Sequence, residues 1–303
     1  MKGFSKDQIR KLALICGGVA LLVVLVTVLI VVLTRSGGDE PENPAESGPV
    51  IPEGMRLVHD IHNGDIIVPD FDIPENEYSH DGFTKKEDGF IHYEGAVAGI
   101  DVSQFQGEVD WYAVKAAGID FAIIRLGYRG MTQGLLAEDT HFRQNLEGAY
   151  SADIQRGVYF FSQAVTVSEA EAEADFVLEH LDGAELQYPV VFDWEHPIES
   201  EDMPKDTLRA WDCPGDVVTD CAEAFCKKIK AAGYTPCVYF NKHQAYNFYD
   251  LEQLKDYGFW YAEYESLPSV CYGFRMWQYS ESGTVPGIDV AVDLDLCFEP
   301  YGK

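Results

Sequence analysis

From residue 98 to the C-terminus, short apolar runs alternate with helical patterns, and this alternation restricts the fold more than any other property of the chain. Gly99-Ile100-Asp101-Val102, Phe121-Ala122-Ile123-Ile124-Arg125, Gly157-Val158-Tyr159-Phe160-Phe161, Tyr188-Pro189-Val190-Val191-Phe192 and Pro236-Cys237-Val238-Tyr239-Phe240-Asn241 read as strands. Apolar runs without polar alternation are those of strands covered on both faces, as in a parallel sheet flanked by helices. The helical patterns fall between them, at 111–117, at about 137–152, at 168–181 and at about 217–232. The Glu-Ala-Glu-Ala stretch in the third alternates superficially with period two. Ala and Glu are poor strand formers, however, and Ala170, Ala174, Val177 and Leu181 keep helical spacing, with Ser168 expected as N-cap and Glu171 completing a capping box.

Three more apolar runs, 259–264, 274–279 and 291–294, follow too closely for full helices between them. Five β-α units and then three strands make eight. Repeated β-α units imply right-handed parallel crossovers, and eight strands imply closure. The expected fold is therefore α/β, an irregular TIM-like (β/α)5(β)3 barrel over 98–303, preceded by an N-terminal transmembrane helix.

That helix is read from residues 12–33, which carry no charged side chain and are long enough to cross the roughly 30 Å hydrocarbon core. Lys2, Lys6, Arg10 and Lys11 precede it and only Arg35 follows closely, so the positive-inside rule puts 1–11 in the cytoplasm and the rest outside the cell membrane. A cleaved leader is the competing reading, but its apolar region is shorter and ends in a small-residue site that Leu33-Thr34-Arg35-Ser36 does not offer. Residues 34–52, rich in Gly, Pro, Glu and Ser, read as a disordered linker, and 53–97 as short strands or an extended lead-in wrapped on the main domain.

Beyond position 35 the chain holds 17 basic against 50 acidic residues. So acidic a surface excludes nucleic acid and anionic lipid as ligands, which need a basic footprint, and leaves neutral polymers such as glycans open. Six cysteines lie outside the span, and Cys221 and Cys226 sit on or beside the apolar face Val218, Ala222, Phe225 and Ile229, as buried thiols would. No Cys-x-x-Cys or His-x-x-x-His pair occurs, so neither a zinc site nor any other cofactor is expected.

The chemistry is concentrated in acids at strand ends. Asp193 and Glu195 follow an apolar run two residues apart, and side chains two apart on a strand share a face. Asp101 ends the first strand and Asp293 lies in the eighth. In a closed barrel the first and eighth strands are neighbours and the fourth lies opposite, so Asp101, Asp193, Glu195 and Asp293 would ring one mouth. Such a ring suits glycoside hydrolysis, in which one carboxylic acid protonates the leaving oxygen while a second carboxylate acts at the sugar. Burial and crowded like charges keep one member protonated near neutral pH. Tyr128, Tyr159, Phe161, Asn241, Trp260, Tyr264, Trp277 and Gln278 stand near the same strand ends. Each aromatic singly fits ordinary barrel filling, and the coincidence with the acids makes the set a candidate sugar-binding surface.

Several segments together resemble glycoside hydrolase family 25, the N-acetylmuramidase lysozymes. They are Gly99-Ile100-Asp101-Val102-Ser103-Gln104-Phe105-Gln106-Gly107, Val109-Asp110-Trp111, 117–125, Gly157-Val158-Tyr159-Phe160-Phe161-Ser162, Pro189-Val190-Val191-Phe192-Asp193-Trp194-Glu195, Met276-Trp277-Gln278-Tyr279 and Val292-Asp293-Leu294-Asp295, in that order. The resemblance covers about 98–302 and implies cleavage of the β-1,4 bond between N-acetylmuramic acid and N-acetylglucosamine in the peptidoglycan glycan strand. By the same resemblance Glu195 is the general acid, Asp193 positions an N-acetyl group or water, and Asp101 and Asp293 complete the site. Asp295 stands where the family motif usually has Asn, and Phe105 where a polar or ring-nitrogen residue is common. The alternatives are a glycan-binding module that has lost catalysis on the same barrel and a glycosidase acting on another amino-sugar polymer.

Overall fold

The computed structural model describes residues 49–87 and 89–301. The cytoplasmic segment expected at 1–11, the transmembrane helix expected at 12–33 and most of the 34–52 linker lie outside these residues. Among the described residues no helix is long and apolar enough to cross a membrane.

Two hairpins precede the barrel. β1 (Met55–Asp60) pairs antiparallel with β2 (Gly64–Pro69), and β3 (Thr84–Lys85) with β4 (Ile91–His92). The barrel strands are β5 (Val97–Val102), β6 (Phe121–Arg129), β8 (Gln155–Ser162), β9 (Val190–Trp194), β10 (Pro236–Asn241), β11 (Gly258–Ala262), β12 (Met276–Gly283) and β13 (Val292–Cys297). They hydrogen-bond in that order and β13 returns to β5, so the sheet closes. All neighbours are parallel except β13, which runs antiparallel to both β12 and β5. β7 (Leu136–Glu138) is a flap on the end of β6. Helices α1 (Trp111–Ala116), α2 (Phe142–Ser151), α3 (Val167–Leu181), α4 (Gly215–Ala231) and α5 (Lys242–Asn247) follow the first five strands, which is the expected sequence of five β-α units and three strands.

Local expectations shift in three places. The second helix starts at Phe142, because 136–138 pair with β6 and Asp139 accepts the His141 N–H to close the turn. The third helix is capped by Thr166, whose extended backbone lets its hydroxyl accept the Glu169 N–H, and Ser168 lies inside the first turn. Glu169 accepts the Val165 N–H at 2.9 Å, one residue before the cap, so the expected capping box at Ser168 and Glu171 is replaced by this contact and the Thr166 cap. The first barrel strand begins at Val97, within the segment expected as lead-in.

Period-two alternation divides the strand residues between the barrel interior and the helical layer. Phe121, Ile123, Val191, Cys237, Tyr239, Trp260, Met276 and Cys297 fill the interior, and Phe121 stacks on Tyr188 at 4.3 Å. Gly99 makes room for that stack, since a Cβ there would lie 2.2 Å from the Phe121 ring. Val158, Phe160, Val190, Phe192, Val238 and Phe240 point the other way, into the core beneath the helices. Cys221 and Cys226 are buried unpaired thiols there, as expected.

The lead-in is fastened to the barrel by specific contacts. Lys242 pairs with the buried Asp60 of β1 and with Glu263 at 2.7 Å, and Ser269 donates to both acids. Tyr272 donates to the Pro69 carbonyl, and the Tyr78 ring stacks on Phe298 at 3.9 Å. Residues from Ile51 onward form one compact unit.

Candidate active site

The interior layer at the mouth is polar where the layers beneath it are apolar. β5 delivers Asp101, β6 Arg125, β8 Tyr159 and Phe161, β9 Asp193 and Glu195, β10 Tyr239, β11 Trp260 and then Tyr264, β12 Gln278, and β13 Asp293. Together they line a pocket of about 190 Å³. Because β13 runs antiparallel, its first residues lie at the mouth where the parallel strands end, and Asp293 sits directly opposite Asp101.

Gln278 organises this layer. Its amide nitrogen donates to Asp101 at 2.7 Å and to Asp293 at 3.4 Å, and its oxygen accepts from the Tyr239 hydroxyl at 2.9 Å and the Tyr264 hydroxyl at 3.1 Å. The side chain thereby holds two acids on one side and two phenols on the other. Across the pocket, Gln163 donates to the Glu195 backbone carbonyl at 2.8 Å and fixes the end of β9. One oxygen of Asp193 is buried without a hydrogen-bond partner among the described residues. Arg125, paired with the buried Asp139 at 2.7 Å, lies between the rings of Phe105 and Tyr128, its guanidinium 4.9 and 5.5 Å from their centres.

The electrostatics follow from four carboxyl groups at the mouth and a fifth, Asp295, buried beneath them. Burial pushes Asp193 well above the usual carboxylate range, Glu195 adds to this, and Arg125 opposes it. Asp101 is likewise held high by burial and by Asp293 and Asp295. Glu195, partly open to solvent at the rim, is pushed up to about 7 by burial and then by Asp293. Asp293 reaches about 6, because a hydrogen bond with Asp101 offsets part of its burial and Glu281 repels its charge. Asp295 lies completely buried below the mouth, held high by desolvation, with one oxygen accepting the Trp260 indole N–H at 2.9 Å. Burial and crowded like charge thus raise every carboxyl of this group, including the one at the solvent edge.

The structure brings together all four expected acids, with Tyr159, Phe161, Trp260, Tyr264 and Gln278. It leaves three expected sugar contacts elsewhere. Trp277 neighbours the inward Gln278 and so points outward, fully buried against Phe83 with its indole donating to the Glu263 carbonyl. The Asn241 side-chain oxygen caps α5, accepting from the His243 and Gln244 N–H groups at 2.8 and 3.2 Å. Tyr128 follows a register shift in β6 and stands beside Arg125, outside the pocket wall. Arg125 and Tyr239 are site residues that the sequence reading passed over. Counting alternate positions from Ile123 and Cys237 finds both.

Residues 100–288 match the sequence profile of glycosyl hydrolases family 25. The chain belongs to this family. It is 31% identical over 211 residues to Lysozyme M1 of Streptomyces globisporus, covering 65% of this chain and 66% of that protein. To the autolytic lysozyme of Clostridium acetobutylicum it is 29% identical over 202 residues, covering 65% and 54%. The chain therefore spans a little under two thirds and about half the length of these two curated relatives. Among solved structures, the bacterial lysozyme of Streptomyces coelicolor superposes with a TM-score of 0.52 at 26% identity, covering 66% of this chain and 90% of the other. The modular autolysin LytC of Streptococcus pneumoniae, solved with a synthetic peptidoglycan ligand, shares the fold with a TM-score of 0.56 at 22% identity, over 82% of this chain and 57% of LytC. Family 25 membership and the closed eight-stranded α/β barrel thus agree.

Proposed function

We propose that this family 25 chain is a lysozyme-type N-acetylmuramidase. It hydrolyses the β-1,4 bond between N-acetylmuramic acid and N-acetylglucosamine in peptidoglycan, with Glu195 as general acid, and residues 12–33 tether it to the outer face of the cell membrane. The observation that carries the reading is Glu195 itself, a carboxyl group at the pocket edge with a pKa of about 7 among acids that lie deeper. A general acid works best when its pKa is near the working pH, because it is then both largely protonated and able to part with the proton.

In this reading Glu195 gives its proton to the glycosidic oxygen as the bond breaks, and one water molecule then supplies the hydroxyl on the sugar carbon and returns a proton to the site's carboxylates. The unpartnered Asp193 oxygen accepts the N–H of the substrate's acetamido group, which replaces a missing hydrogen bond with a real one. Asp293, the acid with the lower of the two values, ionises first and offers negative charge to the positive sugar ring that develops in the transition state. Gln278 holds Asp101 and Asp293 in place. The lysozyme names of the two curated relatives support peptidoglycan as substrate.

The test is release of reducing ends from purified peptidoglycan by residues 51–303. Mass analysis should place N-acetylmuramic acid at the new reducing end, and Glu195→Gln should abolish release. N-acetylglucosamine at that end, or normal turnover by the variant, would overturn the assignment. Recovery of the full chain in the membrane fraction, with residues 51–303 left in the supernatant, is the expected result for the tether.

A further inference from the structure

The β3–β4 hairpin stands beside the mouth. Phe83, next to β3, packs edge-on against Trp277 of β12 at 5.5 Å and tilts against Tyr93 at 4.7 Å, which fixes the hairpin to the barrel. Between hairpin and barrel lies a second cavity of about 430 Å³, lined among others by Lys85 and Ile91 from the hairpin, Tyr264 and Glu265 after β11, and Ser280 and Glu281 in β12. Tyr264 lines both cavities. Its hydroxyl is held by Gln278, while 47% of the residue stays open to solvent. β12 is bulged here, with register shifts on both sides of Ser280, and bulges of this kind re-aim side chains beside functional sites.

A polymer cut in a pocket of about 190 Å³ must continue past it, and the shared Tyr264 makes this groove an adjoining path. We propose that the groove is a substrate subsite for the peptide-substituted amino sugar beside the scissile bond, with Lys85 receiving a carboxylate of the peptide. The proposal rests on the peptidoglycan reading above. Charge argues for the peptide: the groove is lined by one ammonium group, Lys85, and by two carboxylates, Glu265 and Glu281, a mixture of signs that a zwitterionic peptide matches and an uncharged sugar does not. Lys85 and Ile91 lie before residue 100, where the family profile match begins.

The experiment compares kcat/KM of the full chain on glycan strands that carry their peptides with the same strands after the peptides are removed by an amidase. Lys85→Glu should lower the ratio of the two values three- to tenfold, the range expected for reversing one solvent-exposed charge contact. Lys86→Glu makes the same change of net charge at a neighbouring position outside the groove lining and should leave the ratio where it is. An unchanged ratio in Lys85→Glu, or an equal fall in Lys86→Glu, overturns the subsite while the muramidase reading stands. A wild-type chain that releases nothing from either substrate overturns both.

Discussion

Replacing Glu195 by Gln should remove activity and stabilise the fold at the same time, and the stabilisation should depend on pH in a set way. The Glu195 carboxyl has a pKa of about 7 in the folded protein against an ordinary value of 4.5. A group whose pKa is raised by folding contributes fully below its unfolded value, and that contribution is lost as pH rises through the folded value. The wild-type fold therefore weakens between about pH 4.5 and pH 7, at 1.36 kcal/mol per unit. The whole interval corresponds to about 3 kcal/mol, which partial solvent access at the rim reduces to about 2 kcal/mol. Glutamine has the same shape and no charge, so it removes this loss. For a domain of this size the variant should melt about 4–8 °C above wild type at pH 8 and at nearly the same temperature at pH 4. Activity should fall at least 100-fold, as for loss of a general acid. Thermal unfolding of residues 51–303 at pH 4, 6 and 8 is the assay. An equal shift at all three values, or a lower melting point at pH 8, would refute the assignment of the raised pKa to Glu195.

The wild-type kcat/KM should decline about tenfold per unit above pH 7 as Glu195 loses its proton, and a plateau to pH 9 would point to another acid. Gln278→Leu leaves Asp101 and the Tyr239 and Tyr264 hydroxyls without their partner, so urea denaturation should show a loss of about 2–4 kcal/mol, together with a fall in kcat. Lys242→Met removes the cation shared by the buried Asp60 and the part-buried Glu263, which should cost about 3 kcal/mol and expose the segment near residue 70 to limited proteolysis. Thiol titration with a bulky reagent should find Cys221 and Cys226 silent in the native state and reactive in denaturant, since both are fully buried with their thiols pushed up by desolvation.

Much of the barrel was legible because eight strands and their crossovers are written in local pattern. Apolar runs of strand length, helical spacing at Ala170, Ala174, Val177 and Leu181, and the Asp193/Glu195 pair on one face need only neighbours along the chain. The sugar-contact residues were harder to read. In β10 and β12 both faces are buried, so Tyr239 and Phe240, or Met276 and Trp277, are alike in apolar pattern while pointing to opposite sides. Asn241 also suits two uses, and the start of α5 directly after it gave it the cap.

The chain's own order of residues determined the fold class and the four acids, since alternation and i, i+2 spacing are properties of consecutive positions. Closure of the sheet decided the rest. It set Asp293 opposite Asp101 through the antiparallel β13, gathered four carboxyls at the mouth above the buried Asp295 so that their pKa values rise together, and laid the β3–β4 hairpin beside the mouth. Those relations join residues up to about 200 positions apart, and only packing brings them within reach of one another's charge.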